Sequence, residues 1–155
     1  MRTLFSRFCF VVALLCSTSA AFAHSAQQGD IQIGHIWARA TAKGADAGSV
    51  YVPLLNKGKT DDALVNVTTP AAASAMLHES KMVDGVSSMT MLDTLPLPVG
   101  KPVAMRPGGK HIMLMGLKQQ LVEGQNFPLT LKFQHAGEAT VLVMVHGAGA
   151  KAGDH

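Results

Sequence analysis

Four side chains are spaced so that they could do chemistry: His78, Met89, His111 and Met113. Met89 follows His78 after ten residues, His111 follows after twenty-one more, and Met113 after one. Six of the nine methionines lie between His78 and Met115, a window that holds no cysteine. Thioether sulfur is a soft, uncharged donor that suits Cu(I) and discriminates against Zn, Ca and Mg, while imidazole adds a stronger borderline donor. Two of each make a four-coordinate Cu(I) site without a thiolate, which matters where thiols would be oxidised. Taken singly, each residue has a plainer use, since methionine commonly fills cores. The spacing is what sets the group apart.

For these side chains to meet, strands must position them. Asp84-Gly85, between two alternating runs, signals a two-residue hairpin turn. Val83 then pairs with Val86, His78 faces Met91 and Ser80 faces Met89, so His78, Met89 and Met91 share one face of the sheet. In the run after Pro107-Gly108-Gly109, alternation points His111, Met113 and Met115 one way and Ile112 and Leu114 towards the core. The turn puts His111 near the start of its strand, at a rim. Met91 and Met115 remain geometric rivals of Met89 and Met113, and a one-residue slip would scatter the set over both faces.

The rest of the chain supplies a β scaffold. Short apolar runs punctuated by Gly, Pro and Asp recur every ten to fifteen residues or so. Ile31, Ile33, His35 and Trp37 alternate, with His35 and Trp37 read as core packing with a polar rim. Val50, Val52 and Leu54 share a face of a second run, and Val65 and Val67 mark a third. Phe127, Leu129, Leu131 and Phe133 alternate again, and Thr140 to Val145 is almost wholly apolar. No window sustains a helical period. An all-β, antiparallel sandwich or Greek-key barrel is expected.

The first 23 residues read as a cleaved export signal: Arg2 and Arg7, the apolar run Phe8 to Leu15, and Ala21-Phe22-Ala23 as the cleavage site. That run is too short to span a bilayer, so an integral membrane protein is not expected. A lipoprotein reading would want a small residue before Cys16, where Leu15 stands. Cleavage after Ala23 leaves 132 of the 155 residues and no cysteine, since Cys9 and Cys16 both go. This excludes disulfides, thiolate zinc sites and the Cys ligand of blue copper. Loss of Arg2 and Arg7 lowers the net charge from +3 to +1, so nothing points to nucleic acid. No nucleophile elbow, HExxH or pair of carboxylates accompanies the cluster, and no enzyme is expected. The expected organisation is a barrel over 24–146 and a mobile tail over 147–155, whose GAGAKAG lacks the strand–turn–helix setting of a phosphate loop.

The His-x10-Met-x21-His-x-Met spacing, filled by His78, Met89, His111 and Met113, resembles the signature of the periplasmic copper chaperone family PCuA(C). The likeness extends over nearly all of the chain after the signal. Ile36-Trp37-Ala38-Arg39-Ala40-Thr41 looks like the family's opening strand, Leu77-His78-Glu79 like its ligand strand, and Pro107 to Leu117 like its most recognisable run. Glu79 departs from the family, in which many members carry methionine at that position.

The resemblance implies a cupredoxin-like β-barrel, most simply a monomer, holding Cu(I) at an exposed site. It further implies delivery in the periplasm towards the CuA centre of cytochrome c oxidase subunit II, beside a Sco-type protein. Members with a His/Met-rich C-terminal extension bind Cu(II) there; here His146 and His155, with His24 as a new N-terminus, offer only a weak secondary Cu(II) site. Lys110 and Arg106 could dock an acidic partner, though ordinary solvated charges explain them as well. The same motif also suits a copper sequestration or resistance protein with no dedicated acceptor.

Overall fold

The computed structural model describes residues 26–151. The proposed export signal, His24 and His155 therefore lie outside the described residues. The described chain is built of strands, with no α-helix among them. One sheet contains β1 (Ala26–Gln28), β2 (Ile31–Ile33), β5 (Pro53–Asn56) and β10 (Pro102–Ala104), in the order β1-β2-β5-β10. The larger sheet contains β3 (Trp37–Arg39), β4 (Ala47–Tyr51), β6 (Asp62–Thr68), β7 (Ala72–Val83), β8 (Val86–Leu92), β9 (Leu95–Leu97), β11 (Lys110–Leu117), β12 (Asn126–Phe133) and β13 (Glu138–His146). Its order is β8-β7-β11-β4-β3-β13-β12-β6-β9. No helix among the described residues is long and apolar enough to cross a membrane.

Alternating residues put one face of each long strand into a common core. Phe127, Leu129, Leu131 and Phe133 of β12 are buried, as are Val141, Val143 and Val145 of β13, and Ile112 and Leu114 of β11. Ile112 and Leu114 are the core positions expected from the sequence, and the β12 set follows its alternation; the run Thr140 to Val145, read only as apolar, turns out to bury its valines at 141, 143 and 145. Pairing is antiparallel throughout the named strands except between β3 and β13, which run parallel with Trp37 opposite Met144 and His146 opposite Arg39.

Two runs expected to be single strands are split between the sheets. The chain leaves the smaller sheet after Ile33 and enters the larger one at Trp37, and it crosses back between Tyr51 and Pro53. At both crossings the period of two breaks: Ile36, Trp37 and Ala38 are all buried, as are Val50, Tyr51 and Val52. A segment passing from one sheet to the other is covered on both sides, so consecutive apolar residues replace alternation. His35 therefore lies outside both β2 and β3.

Beyond β13 the chain turns back on itself. The Ala150 N–H donates to the Gly147 carbonyl, and Arg39 Nε and Nη2 donate to the Ala150 carbonyl at 3.2 and 3.0 Å.

Candidate metal centre

The hairpin turn fixes the first half of the site. Asp84 and Gly85 both take positive φ, 50° and 78°, the backbone of a type I′ turn. The ladder that follows pairs Val83 with Val86, Ser80 with Met89 and His78 with Met91, the register expected from the turn. On the other edge of β7 lies β11, and there His111 stands directly opposite His78, with Met113 opposite Met76. Facing residues share a side of the sheet, so Met91, His78 and His111 form one row across three strands. Met113 and Met76 lie one step along in one direction, and Met89 one step along in the other. The two ring centroids are 6.0 Å apart at 67°.

Met89 and Met113 therefore flank the imidazole pair from opposite sides. Met91, directly opposite His78, is better placed along the row than Met89, which sits diagonally. Met115 pairs with Ser74, a further step beyond Met113, and is the more remote rival. Met76 had escaped the sequence reading, although its spacing of two from His78 on an alternating strand was signal enough. Beside the row a pocket of about 200 Å³ is lined in part by Met76, Leu77, Met91 and Leu92.

Each imidazole is prepared differently. His111 Nδ1 lies 3.0 Å from the Gly109 carbonyl, so that nitrogen is the N–H donor and Nε2 keeps its lone pair. The Gly109 carbonyl also accepts from the Ser80 N–H at 3.0 Å, tying the Pro107-Gly108-Gly109 turn to β7. His78 Nδ1 is buried without a hydrogen-bond partner among the described residues. Leaving such an atom unsatisfied costs about 1–3 kcal/mol, a cost that a bound soft ion would remove. Burial, and then the neighbouring charge of His111, lower the pKa of His78 and favour the neutral ring a metal requires.

His111 stands near the start of β11, as expected from the turn, but it is buried there, with only 6% of the residue exposed. Its opposite number His78 and the turn at Gly109 cover it. By contrast Met89 and Met91 are 54% and 59% exposed on the outer strand β8. The arrangement is a pair of sunken nitrogens beneath accessible sulfurs. Lys110, considered above for docking, points its Nζ to Glu79 Oε1 at 3.0 Å, and Glu79 Oε2 also holds Lys81 at 2.9 Å. Among the described residues no three or more His, Cys, Asp or Glu side chains form a metal-binding group. Any closed shell around the two imidazoles would have to draw on thioethers or solvent.

Residues 31–145 match the family model LpqE-like, described as "Putative lipoprotein LpqE-like". The chain belongs to the LpqE-like family. A relative from Leifsonia xyli subsp. xyli (strain CTCB07), named "Putative lipoprotein Lxx21020", is 33% identical to this LpqE-like chain over 120 residues, covering 77% of it and 71% of the relative. Among solved structures, the copper-bound PCuAC domain from PmoF2 is 27% identical with a TM-score of 0.69, covering 81% of the LpqE-like chain and 99% of the domain. The Cu(I) form of DR1885 from Deinococcus radiodurans is 28% identical with a TM-score of 0.61, covering 81% and 83%. The barrel is thus of the PCuAC type, a cupredoxin-like fold.

Proposed function

We propose that the protein is an exported Cu(I)-binding metallochaperone whose cargo is held by His78, Met89, His111 and Met113. The observation that carries this reading is the direct cross-strand pairing of His78 with His111 beside thioethers on the same face of the sheet. Copper-bound PCuAC neighbours support the choice of metal, and the lipoprotein relatives support export to the periplasm. A chaperone must hold its ion against solvent yet yield it to a partner. Neutral sulfurs on the exposed strand β8 can be displaced one at a time, while the less accessible imidazoles of His111, buried, and His78, half-buried, hold the ion longest. The acceptor we propose is the CuA centre of cytochrome c oxidase subunit II, reached directly or through a Sco-type protein.

Competition of the protein with a Cu(I) chelator tests the binding half. His111→Ala and Met113→Ala should each weaken Cu(I) binding by at least about tenfold; Met113→Ala should leave folding unchanged, while His111→Ala, which removes a buried ring and its bond to the Gly109 carbonyl, should also cost about 1–3 kcal/mol of stability, read from a melting curve. Unchanged affinity in both variants would overturn the assignment. Transfer to an apo CuA domain, read from the copper content of the separated proteins and from the purple absorption that the loaded centre develops once ferricyanide removes one electron, tests the delivery half. Retention of Cu(I) in the presence of that acceptor would point to sequestration instead.

A further inference from the structure

The sulfur-bearing face of the sheet continues past the two imidazoles. Beyond the last pair of β7 with β11, Glu79 opposite Lys110, β7 and β8 run on as a two-stranded ribbon. In it Ser80 stands opposite Met89 and Met82 opposite Ser87. Side chains two apart share a face, so Met82 is on the side that carries His78, Met89 and Met91. The rows on that face follow one another at intervals of about 7 Å. A type I′ turn makes Val83 and Val86 the hydrogen-bonded closing pair, which leaves these rows as the non-hydrogen-bonded ones, where facing side chains approach most closely. Met89 is thereby diagonal to His78 on one side and to Met82 on the other, at about 7–8 Å between Cα atoms in each case.

Packing does not account for a methionine at the tip, because Met82 is 71% exposed. Val83 and Val86, beside the turn, are β-branched residues of the kind a ribbon favours, whereas the unbranched Met82 brings no such advantage. The other positions on the sulfur face of the ribbon are Ser80 and Ser87. Glu79 and Lys81 lie on the opposite face, where they pair with each other at 2.9 Å. The sulfur face is therefore uncharged between His78 and the turn.

We propose that Met82 and Met89 form a second, outer site for a soft monovalent ion, Cu(I) or Ag(I), towards the tip of the β7–β8 ribbon. The inference rests on the metallochaperone reading only in that Met89 is shared between the two sites. Thioethers on an uncharged face select soft ions, since Zn(II), Ca(II) and Mg(II) look for imidazole, thiolate or oxygen donors. Met91, directly opposite His78, can serve the imidazole pair while Met89 turns outward to Met82. An ion moves between the sites by ligand exchange alone: its bond to Met82 breaks as one to an imidazole nitrogen forms, with Met89 bound throughout. No electron or proton moves, and the charge on the ion stays at +1. Imidazole is the stronger donor, so the outer site is the weaker of the two and fills second.

Methionine-methyl 13C and imidazole 15N spectra of the protein titrated with Ag(I) test the proposal. The first equivalent should move the methyl of Met113 and the ring resonances of His78 and His111, and leave the methyl of Met82 in place. The second equivalent should move Met82 and Met89 together. Met82→Leu keeps the apolar bulk and removes the sulfur. It should bind the first equivalent as tightly as the unmutated protein does and the second at least about tenfold more weakly. A Met82 methyl that stays still through the second equivalent, or that already moves in step with the first, overturns the outer site. So does a second ion held equally well by Met82→Leu. The inner centre fails on a different signal: ring resonances of His78 and His111 that do not respond to Ag(I).

Discussion

His111 is fit to hold a metal because its other nitrogen is already engaged: the Gly109 carbonyl fixes the tautomer and orients the ring. His78 is ready for the opposite reason, with a buried nitrogen that lacks a partner among the described residues. The sulfurs are less constrained. Met91 stands opposite His78 and Met89 one step diagonal, both exposed on the same strand, and a methionine with three rotatable bonds can reach across that difference. Met89→Ala alone should therefore weaken Cu(I) binding less than Met113→Ala does. Met89→Ala combined with Met91→Ala should weaken it by more than the product of the two single effects, as expected when one donor replaces another. Chelator competition on the four proteins checks this; strictly multiplicative losses would mean the two sulfurs do not substitute for one another.

At the scale of elements, the β7–β8 hairpin decides which side chains face the site. Its outer strand contributes almost nothing to the core, with Val86 to Met91 all exposed, so the turn rather than burial sets its register. One glycine inserted after Gly85 should shift β8 by one residue and turn Met89 and Met91 to the opposite face. Cu(I) affinity should then fall at least as far as in the double alanine variant, while thermal stability changes by no more than about 1 kcal/mol. A chelator titration beside a melting curve reads both quantities.

That dependence on a local turn is also why this half of the site was legible in the sequence. Asp84-Gly85 gave the register of Met89 and Met91 against His78, and alternation gave the outward side of His111 and Met113. The pairing of His78 with His111 was not legible, because β7 meets β11 across thirty-three residues of chain and no local rule encodes such a contact. The crossings at Gly34 to Ile36 and at Val52 were hidden as well, since residues buried between two sheets lose the alternation that betrays a strand. Misreading the first crossing also concealed the contact of His35 with His146, at the far end of the chain.

For the molecule as a whole, closure depends on a few polar groups at strand ends. Asp62, at the start of β6, accepts from Ala63 N at 2.7 Å and His135 N at 3.0 Å through Oδ1, and from Ala136 N at 2.9 Å through Oδ2. It thereby fastens β6 to the turn between β12 and β13. Burial pushes the pKa of Asp62 upward, but the three backbone N–H donors and the charge of His135 outweigh it and leave it below the ordinary carboxylate value. A carboxylate with a lowered folded-state pKa adds stability in full above its unfolded pKa and loses it as the pH falls through the folded one. Asp62→Asn should cost about 1–3 kcal/mol near neutral pH, and the difference from the unmutated protein should shrink in strong acid. Urea midpoints measured across that range check the sign. A gap that stays constant with pH would show that the charge of Asp62 plays no part.

The barrel, the hairpin and the two imidazoles converge on one coordination shell, and X-ray absorption at the copper edge of the Cu(I)-loaded protein examines that shell directly. The account predicts two nitrogen scatterers near 2.0 Å, roughly, and two sulfur scatterers at about 2.3 Å, with a sulfur lost in Met113→Ala. A shell of nitrogen and oxygen alone, or one that Met113→Ala leaves intact, would contradict it.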